Sequence, residues 1–361
     1  MKKKVVVGIS GGVDSAVSAL LLKEQGFDVI GLYMSNWKET DDNGCCTGEE
    51  DFIDVRSICG KIDIPYYSVD FSAEYMERVF KHFVEEYRRG RTPNPDVLCN
   101  REIKFDSFKR FAMELGADYI ATGHYCNHEY RDGLNYLVRA KDENKDQTYF
   151  LNQVTSEQLS NVIFPIGNMV KSEVRDVAKR YGLSVAEKKD STGICFIGEK
   201  RFREFLSKYI PMKDGDIVTK DGKVVGRHKG VFYYTIGQRK GLGIGGNADG
   251  NGNAWFILEK DVINNRLIVS QGEDDVLFRD ELTTEGFNFI TGVPSEKEFE
   301  CMVRIRHRQP LQKAVAKVTE SGGKVESVTV KFDEPQRAIA EGQYAVLYKD
   351  KYCLGGGVIG K

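Results

Sequence analysis

The 361-residue sequence predicts an α/β parallel-sheet nucleotide-binding domain followed by two small β-rich domains, the last a β-barrel. Three observations carry this prediction. Through roughly the first 210 residues, apolar runs of strand length alternate with stretches of helical periodicity. From about Gly215 that periodicity stops, and short β-rich runs broken by turns replace it. The first strand-to-helix junction is a Gly-rich turn, the place where open parallel sheets collect ligands. The expected boundaries are 1–210, 211–275 and 276–361.

Val5 to Ile9 is a β-branched run suited to a buried parallel strand, and Ala16, Val17, Ala19, Leu20 and Leu21 give the following helix its apolar stripe. Between them, Ser10-Gly11-Gly12-Val13-Asp14-Ser15 makes the turn. Unpaired N–H groups of Gly11, Gly12 and Val13 at a helix N-terminus favour an anion, and Ser10 and Ser15 add hydroxyl donors. The stretch lacks both the Lys of G-x-x-x-x-G-K-[ST] and the spacing of G-x-G-x-x-G. Asp14 stands where that Lys would be. A carboxylate beside a polyphosphate needs a divalent cation between them, so Asp14 is expected to face Mg²⁺.

Phe27 to Met34 reads as the second strand, with Met34 at its ligand edge as an adenine contact or simply as core. Phe52, Val55, Cys59 and Ile62 have helical spacing, and Pro65 to Phe71 reads as a third strand. A long helix carries Met76, Val79, Phe80, Phe83, Val84 and Tyr87 and ends at Arg88-Arg89-Gly90-Arg91. Thr92 to Arg101 is stiffened by Pro93 and Pro95. Asp96 and Cys99 would both project near the start of the next helix, where a thiol's pKa falls. The competing reading is an N-capping Asp and a packed Cys, and the residues alone leave both open.

Asp118 to His124 is a strand ending at Gly123 and His124 on the ligand edge. Tyr125 to Ala140 alternates around Asp132-Gly133 as a hairpin, and Lys145 to Tyr149 is a polar cluster opening a helix. Lys171 to Leu183 is an amphipathic helix with Gly182 as its C-cap signal. A second small-residue loop, Asp190 to Gly198, carries Cys195, and Phe202, Phe205, Leu206 and Tyr209 mark one more helix.

Beyond it, Val224 to Ile236 and Trp255 to Leu258 read as strands. Glu300 to Ile305, Gln312 to Thr319, Ser327 to Phe332 and Tyr344 to Tyr348 suit a small closed or sandwiched module, taken here as closed. Strand alternation through 304–308 would put Arg304, Arg306 and Arg308 on one face, extended by Lys313 and Lys317, as a nucleic-acid patch or a solvated surface.

Eight Cys, at positions 45, 46, 59, 99, 126, 195, 301 and 353, form no C-x-x-C pair, which argues against a structural zinc site, and the expected cytosolic setting argues against a disulfide framework. Cys45-Cys46 make a poor metal site and receive no role. A net charge of −2 excludes a uniformly basic nucleic-acid binder but leaves room for local patches. With no signal peptide and no membrane-spanning apolar run, the expected location is cytoplasmic.

Ser-Gly-Gly-Val-Asp-Ser resembles the pyrophosphatase loop of the N-type ATP pyrophosphatases, which have an adenine nucleotide alpha hydrolase-like fold. With Asn-Pro-Asp-x-x-Cys-Asn, Ala-Thr-Gly-His-Tyr, Lys-Asp-Gln-x-Tyr-Phe-Leu, Asp-Ser-x-Gly-Ile-Cys-Phe-Ile-Gly, Thr-Ile-Gly-Gln-Arg-Lys-Gly-Leu-Gly and Pro-Gln-Arg-Ala, in that order, the chain resembles the bacterial tRNA-specific 2-thiouridylases. The resemblance implies ATP-dependent thiolation of C2 of the wobble uridine of tRNA. The C2 oxygen would be adenylated and then replaced by sulfur from a cysteine persulfide, with release of AMP and pyrophosphate.

The same resemblance implies that Gly8, Ile9, Ser10, Gly11, Gly12, Val13, Asp14, Ser15 and Met34 bind ATP and that Gly123 closes the nucleotide site. It gives Asn94, Pro95 and Asp96 to the target base, makes Cys99 the nucleophile and Cys195 the persulfide carrier, and places His124, Lys145, Asp146, Gln147, Arg306, His307 and Gln343 on tRNA. Asp96 would act as general acid/base on the uracil ring. Relatives often carry Tyr where this chain has His307, and both rings can stack on a base. A Cys99–Cys195 disulfide would close the turnover, and a cysteine desulfurase or sulfur-relay protein would supply the persulfide.

Two other classes compete with this one. An ammonia-delivering ATP pyrophosphatase would waste the two loop cysteines and calls for a glutaminase module that the sequence does not show. A non-catalytic RNA-binding protein on a relic nucleotide fold would release no pyrophosphate.

Overall fold

The computed structural model describes residues 2–37, 49–190, 202–244, 252–272 and 274–360. The chain begins β1 (Lys4–Gly8), α1 (Val13–Glu24), β2 (Asp28–Ser35), α2 (Glu49–Ile62) and β3 (Tyr66–Asp70). Two interrupted helices follow. One joins α3 (Ser72–Tyr75), a π-helical stretch Met76–Phe80 and α4 (Lys81–Arg88); the other joins α5 (Pro95–Leu98), a π-helical stretch Cys99–Ser107 and α6 (Phe108–Glu114). Then come β4 (Tyr119–Ala121), a hairpin of β5 (Asn127–Arg131) and β6 (Leu134–Val138), β7 (Val162–Ile163), α7 (Lys171–Arg180) and α8 (Phe202–Ser207).

Five strands form one parallel sheet in the order β3-β2-β1-β4-β7. Val5, Val6 and Val7 are fully buried, because β1 is covered on both faces. Val5 and Val7 pack with α1, α2 and α7, while Val6 faces the helices between Ser72 and Glu114. The strand order reverses between β1 and β4. Their carboxyl ends therefore flank a crevice, the position where such sheets bind ligands.

The central domain holds β8 (Gly215–Thr219), β9 (Val224–His228), β10 (Trp255–Asp261) and β11 (Arg266–Gln271), in the order β10-β11-β8-β9. The single strand expected over Val224 to Ile236 stops at His228. Its imidazole ends the ladder: Nδ1 accepts from the Gly230 amide at 3.0 Å and Nε2 donates to the Asn265 carbonyl at 3.1 Å. Gly230 then takes φ 133°, and a 3₁₀ turn, Val231–Tyr233, follows.

The last domain is a closed barrel of β12 (Phe278–Phe289), β13 (Glu298–Arg304), β14 (Gln312–Ser321), β15 (Lys324–Arg337), β16 (Tyr344–Lys349) and β17 (Tyr352–Ile359). Its order is β12-β15-β14-β13-β16-β17, and β17 pairs back onto β12. Val303, Ala316, Val328, Val330, Ala345 and Leu347 fill the interior. The hairpin of the first domain extends this sheet, with β6 pairing β17 at Val138↔Tyr352 and Leu137↔Cys353.

The expected basic face does not form. β13 ends at Arg304, Ile305 and Arg306 bend, and Arg308 sits in a turn at φ 65°. Arg304, 4% exposed, points inward to Asp146, 1% exposed, with Nη1 3.2 Å from Oδ2. Arg139 Nε lies 3.6 Å from the same carboxylate, which also accepts from Thr148 Oγ1 at 2.9 Å. A buried carboxylate needs a buried cation, and this requirement overrides strand alternation. Arg306 is half-buried and donates to the Ala338 carbonyl. Lys313 and Lys317 remain exposed on β14. No helix among the described residues is long and apolar enough to cross a membrane.

Removing one member of a buried pair leaves an uncompensated charge, so Asp146→Ala is expected to cost about 3–5 kcal/mol in urea unfolding. Arg308→Ala, at an exposed turn, is expected to stay within about 0.5 kcal/mol.

Candidate active site

The crevice between β1 and β4 is built by close backbone approach. A Cβ on Gly8 would lie 3.2 Å from Met34 Cε and 3.7 Å from Phe108 Cζ, so the strand end, Met34 and the start of α6 meet at one point. A Cβ on Gly123 would lie 2.7 Å from the Ser15 amide nitrogen and 2.8 Å from the Asp14 carbonyl carbon. The exit of β4 therefore rests on the first turn of α1, and only glycine permits the contact. Gly11 takes φ 73°, and a Cβ there would meet the Asp51 carbonyl oxygen at 2.7 Å.

The turn is held from within. Ser15 Oγ accepts from the Ser10 amide at 3.2 Å and donates to the Gly12 carbonyl at 3.0 Å. The first bond of the α1 ladder is Ala16 N to Gly12 O, at 3.2 Å. The amides of Gly11, Gly12 and Val13 lie ahead of it, at the positive end of the helix. Ser10 is exposed and Asp14 half-buried at the mouth, whereas Ile9 and Val13 are core.

The cation that the loop lacks arrives from α7. Lys171, the first residue of that helix, places Nζ 2.8 Å from both carboxylate oxygens of Asp14 and 2.8 Å from Asp190 Oδ1. Tyr125 donates to Asp14 Oδ1 at 2.8 Å. Asp190 also meets Lys145 at 2.5 Å and Arg175 at 3.2 Å. Burial would raise the Asp190 pKa, but the bonds from Lys145 and Lys171 hold it at about 2. Lys188 caps the other side, bonding the Gly11 carbonyl at 3.2 Å, Asp51 at 2.8 Å and Asp54 at 2.7 Å. Sequence reasoning missed Lys171. The periodicity of its segment speaks only of a helix, and the one available signal was an acid in a phosphate loop with no local counter-charge.

As for the expected Mg²⁺, the charge opposite Asp14 in this structure is an ammonium. Among the described residues no group of three or more His, Cys, Asp or Glu is placed to hold a metal ion. The carboxylates of Asp14 and Asp190 are both engaged by Lys171, so the described residues alone would suit only a cation brought in on phosphate oxygens.

Asn94 is the N-cap of α5 and Pro95 its first residue, with Pro93 and Pro95 buried and Asn94 and Asp96 half-buried. Cys99 does not gain the lowered pKa expected of a helix N-terminus. The helix starts four residues earlier, at Pro95, so the thiol lies beyond the first turn and packs in the core at 2% exposure. Burial, aided by Asp96 and opposed by Lys104, pushes its pKa up to about 11. The packed-Cys alternative describes this conformation.

His124 is likewise interior, hydrogen-bonded through Nδ1 to Thr122 Oγ1 at 2.8 Å and set 5.9 Å from the Phe105 ring. Burial and the nearby Lys104 keep it neutral. Phe105 and Phe108, on the helix that carries Cys99, thus tie it to both His124 and the nucleotide loop. Gln147 accepts from the Tyr125 amide at 2.9 Å. A second group lies where the barrel meets the first domain: the His307 ring packs at a tilt against Phe150, centroids 4.5 Å apart, and Gln343 donates to the Thr92 carbonyl at 2.6 Å. Cys195 and its loop, like Cys45 and Cys46, lie outside the described residues.

Known families and relatives match along the whole chain. Residues 3–199 match the family described as tRNA methyl transferase HUP domain, 203–271 the tRNA methyl transferase PRC-barrel domain, and 279–359 the aminomethyltransferase beta-barrel domain. A protein of Streptococcus thermophilus (strain LMD-9) named tRNA-specific 2-thiouridylase MnmA is 54% identical over 360 residues, spanning 99% of this chain and 95% of its own. Proteins of the same name from Enterococcus faecalis (strain V583) and Bacillus licheniformis are 53% and 54% identical, each spanning 99% of this chain and 95% and 94% of their own.

Two outcomes follow from the geometry. Gly123→Ala forces the β4 exit off α1, and overpacking of this kind costs about 1–3 kcal/mol, expected as a lower urea midpoint with far-UV circular dichroism retained. Cys99 in the free protein is expected to resist iodoacetamide at neutral pH and to label progressively faster as pH rises toward about 11, as read by peptide mass spectrometry.

Proposed function

The chain belongs to the tRNA-specific 2-thiouridylase family of sulfurtransferase enzymes, and on that premise we propose that it replaces the C2 oxygen of the wobble uridine of tRNA with sulfur at the expense of ATP. One observation supports this reading beyond the resemblance. The helix carrying Cys99 lies across the same strand ends as the anion-binding turn, with Phe108 near Gly8 and Met34 and Phe105 near His124. This supports a reading in which activation and sulfur chemistry use the same crevice.

In this reading Gly8 to Ser15 cradle the ATP phosphates, Met34 meets the adenine and Gly123 lets the nucleotide site close. The uracil O2 attacks the α-phosphorus, the O–P bond forms and the bond to the β-phosphate bridging oxygen breaks, releasing pyrophosphate. The amides of Gly11, Gly12 and Val13 and the Lys171 ammonium, exchanging Asp14 for phosphate, meet the developing charge. Mg²⁺, held by the phosphates and Asp14, adds charge neutralisation when bound.

Adenylation turns a poor leaving group into AMP. Asn94 and Pro95 hold the base, which leaves the anticodon stack, and Asp96 takes or returns the ring proton. The terminal sulfur of a Cys195 persulfide attacks C2 and AMP departs. The Cys99 thiolate attacks the Cys195 sulfur, transferring the outer sulfur to the base and leaving a disulfide, which an external thiol reduces with two electrons. Cys99 is sheathed at rest, so the base-contacting segment must move before it acts. Arg306, His307, Gln343, His124, Lys145 and Gln147 are assigned to tRNA, and a persulfide-bearing protein to sulfur supply; Asp146, expected on tRNA, is instead sealed against Arg304 and Arg139 and supports the stretch from within. We keep the functional division 1–210, 211–275 and 276–361, and place the reaction in the cytoplasm, where thiols keep such a disulfide reducible.

With tRNA, ATP and a persulfide donor, turnover is expected to give AMP, pyrophosphate and 2-thiouridine, read by thin-layer chromatography and nucleoside mass spectrometry. ADP as the main nucleotide product would overturn the reading. Lys171→Ala is expected to cost about 10²-fold in kcat/KM for ATP, the usual loss for one preorganised donor. Cys99→Ser and Cys195→Ser should both lose thiolation, and only Cys99→Ser should still accumulate a persulfide on Cys195.

A further inference from the structure

The stretch Arg88 to Thr92, just ahead of the base-contacting segment, is where the first domain touches both others. Gly90 takes φ 79°, and a Cβ there would lie 2.5 Å from Val262 Cγ2 in the turn between β10 and β11. Arg91, with its side chain only 13% exposed, sets its guanidinium among three carboxylates. It meets Glu86 of α4 at 3.2 Å, Glu285 of β12 through both nitrogens with Nη1 at 2.8 Å, and Glu341 at 3.9 Å.

Thr92 is fixed more tightly still. Its amide donates to the Glu341 carbonyl at 2.8 Å, its carbonyl accepts from Gln343 Nε2 at 2.6 Å, and its hydroxyl shares a bond with Thr235 of the central domain at 3.3 Å. Gly342 takes φ 85°, and a Cβ on it would meet Arg91 Cβ at 2.9 Å and the Thr92 nitrogen at 3.1 Å. The barrel turn and this segment are therefore in backbone contact. Pro93 and Pro95 then carry that placement with little freedom to Asn94, Asp96 and the helix bearing Cys99.

We propose that Arg91, with Glu285 and the Thr92–Gln343 bond, is a positioning device of the reaction. The barrel, as well as the sheet that holds the nucleotide loop, sets where Asn94–Asp96 and Cys99 stand relative to the α-phosphate, so tRNA engaged on the barrel is coupled to placement of the nucleophile. A two-pronged guanidinium–carboxylate contact fixes direction as well as distance, which a single ammonium contact cannot do. The inference rests on the thiouridylase reading.

The test uses the full chain with unmodified tRNA transcript, ATP and a low-molecular-weight persulfide as the sulfur source, read in a single turnover. Arg91→Gln and Glu285→Gln are each expected to lower the thiolation rate at saturating tRNA by about tenfold or more, the scale of an ångström-sized misplacement. Dissociation constants for tRNA and ATP should stay within about threefold, because neither ligand site is touched. The double variant should be no worse than the worse single one, and Arg91→Lys should recover little of the rate.

Amide hydrogen exchange read without substrate should rise in the 92–99 peptide of Arg91→Gln and Gln343→Ala and stay unchanged in α1. Exchange unchanged at 92–99, or a lower melting temperature with a wild-type saturating rate, would overturn the proposal. Failure of the wild-type protein to thiolate tRNA would instead strike the functional reading, and the exchange measurement would still judge the positioning.

Discussion

A parallel strand buried on both faces has one place left for polar chemistry, its carboxyl end, and β1 is such a strand. Everything at the site follows from what can approach that end. Gly8 lets Met34 and Phe108 close over it, and Gly123 lets the neighbouring strand rest on the first turn of α1. The turn between them keeps its amides ahead of the helix ladder because Ser15 folds back to hold Ser10 and Gly12. The crevice and its free amides are thus a product of strand burial, strand order and glycine at two contacts.

Charge is then distributed to suit it. Nucleotide loops commonly carry their own lysine, and here the loop carries a carboxylate while the lysine comes from α7. Asp14, Lys171, Asp190 and Lys145 form an alternating chain of charges, each partly desolvated and each satisfied by its neighbour. Such an arrangement is stable at rest and exchangeable, since a polyanion entering the crevice competes with carboxylates for the same ammonium groups. The seating of Cys99 in the core has the opposite character, for a thiol whose pKa is pushed up to about 11 by burial is protected until the segment before it moves.

The barrel is joined to the first domain by more than its linker. A hairpin of the first domain continues the barrel sheet, the Asp146–Arg304 pair is buried between them, and the turn at Glu341 to Gln343 holds Thr92. Arg304 illustrates why a local pattern misleads. Its spacing from Arg306 and Arg308 matches a strand face, yet the strand ends there and the interior carboxylate claims the first guanidinium.

Much of the chain was readable from sequence because its signals are local. β1, β2, β3 and the helices between them follow from apolar runs and periodicity, the hairpin from Asp132-Gly133, and the turn before α1 from glycine and serine beside a helix start. β7, β8, β11, β12 and β17 were not singled out, since a two-residue strand gives no pattern and strands rich in charge or glycine lack clean alternation. By itself the sequence determined the layered sheet, the glycine-rich strand-to-helix turn and the family, all of which depend on residues near one another in the chain. Only the tertiary structure decided that Lys171 answers Asp14 from 157 residues away, that Cys99 rests in the core, and that Arg304 serves a buried acid. Those outcomes are set by desolvation and by which distant charge arrives to offset it, and neither is encoded in local spacing.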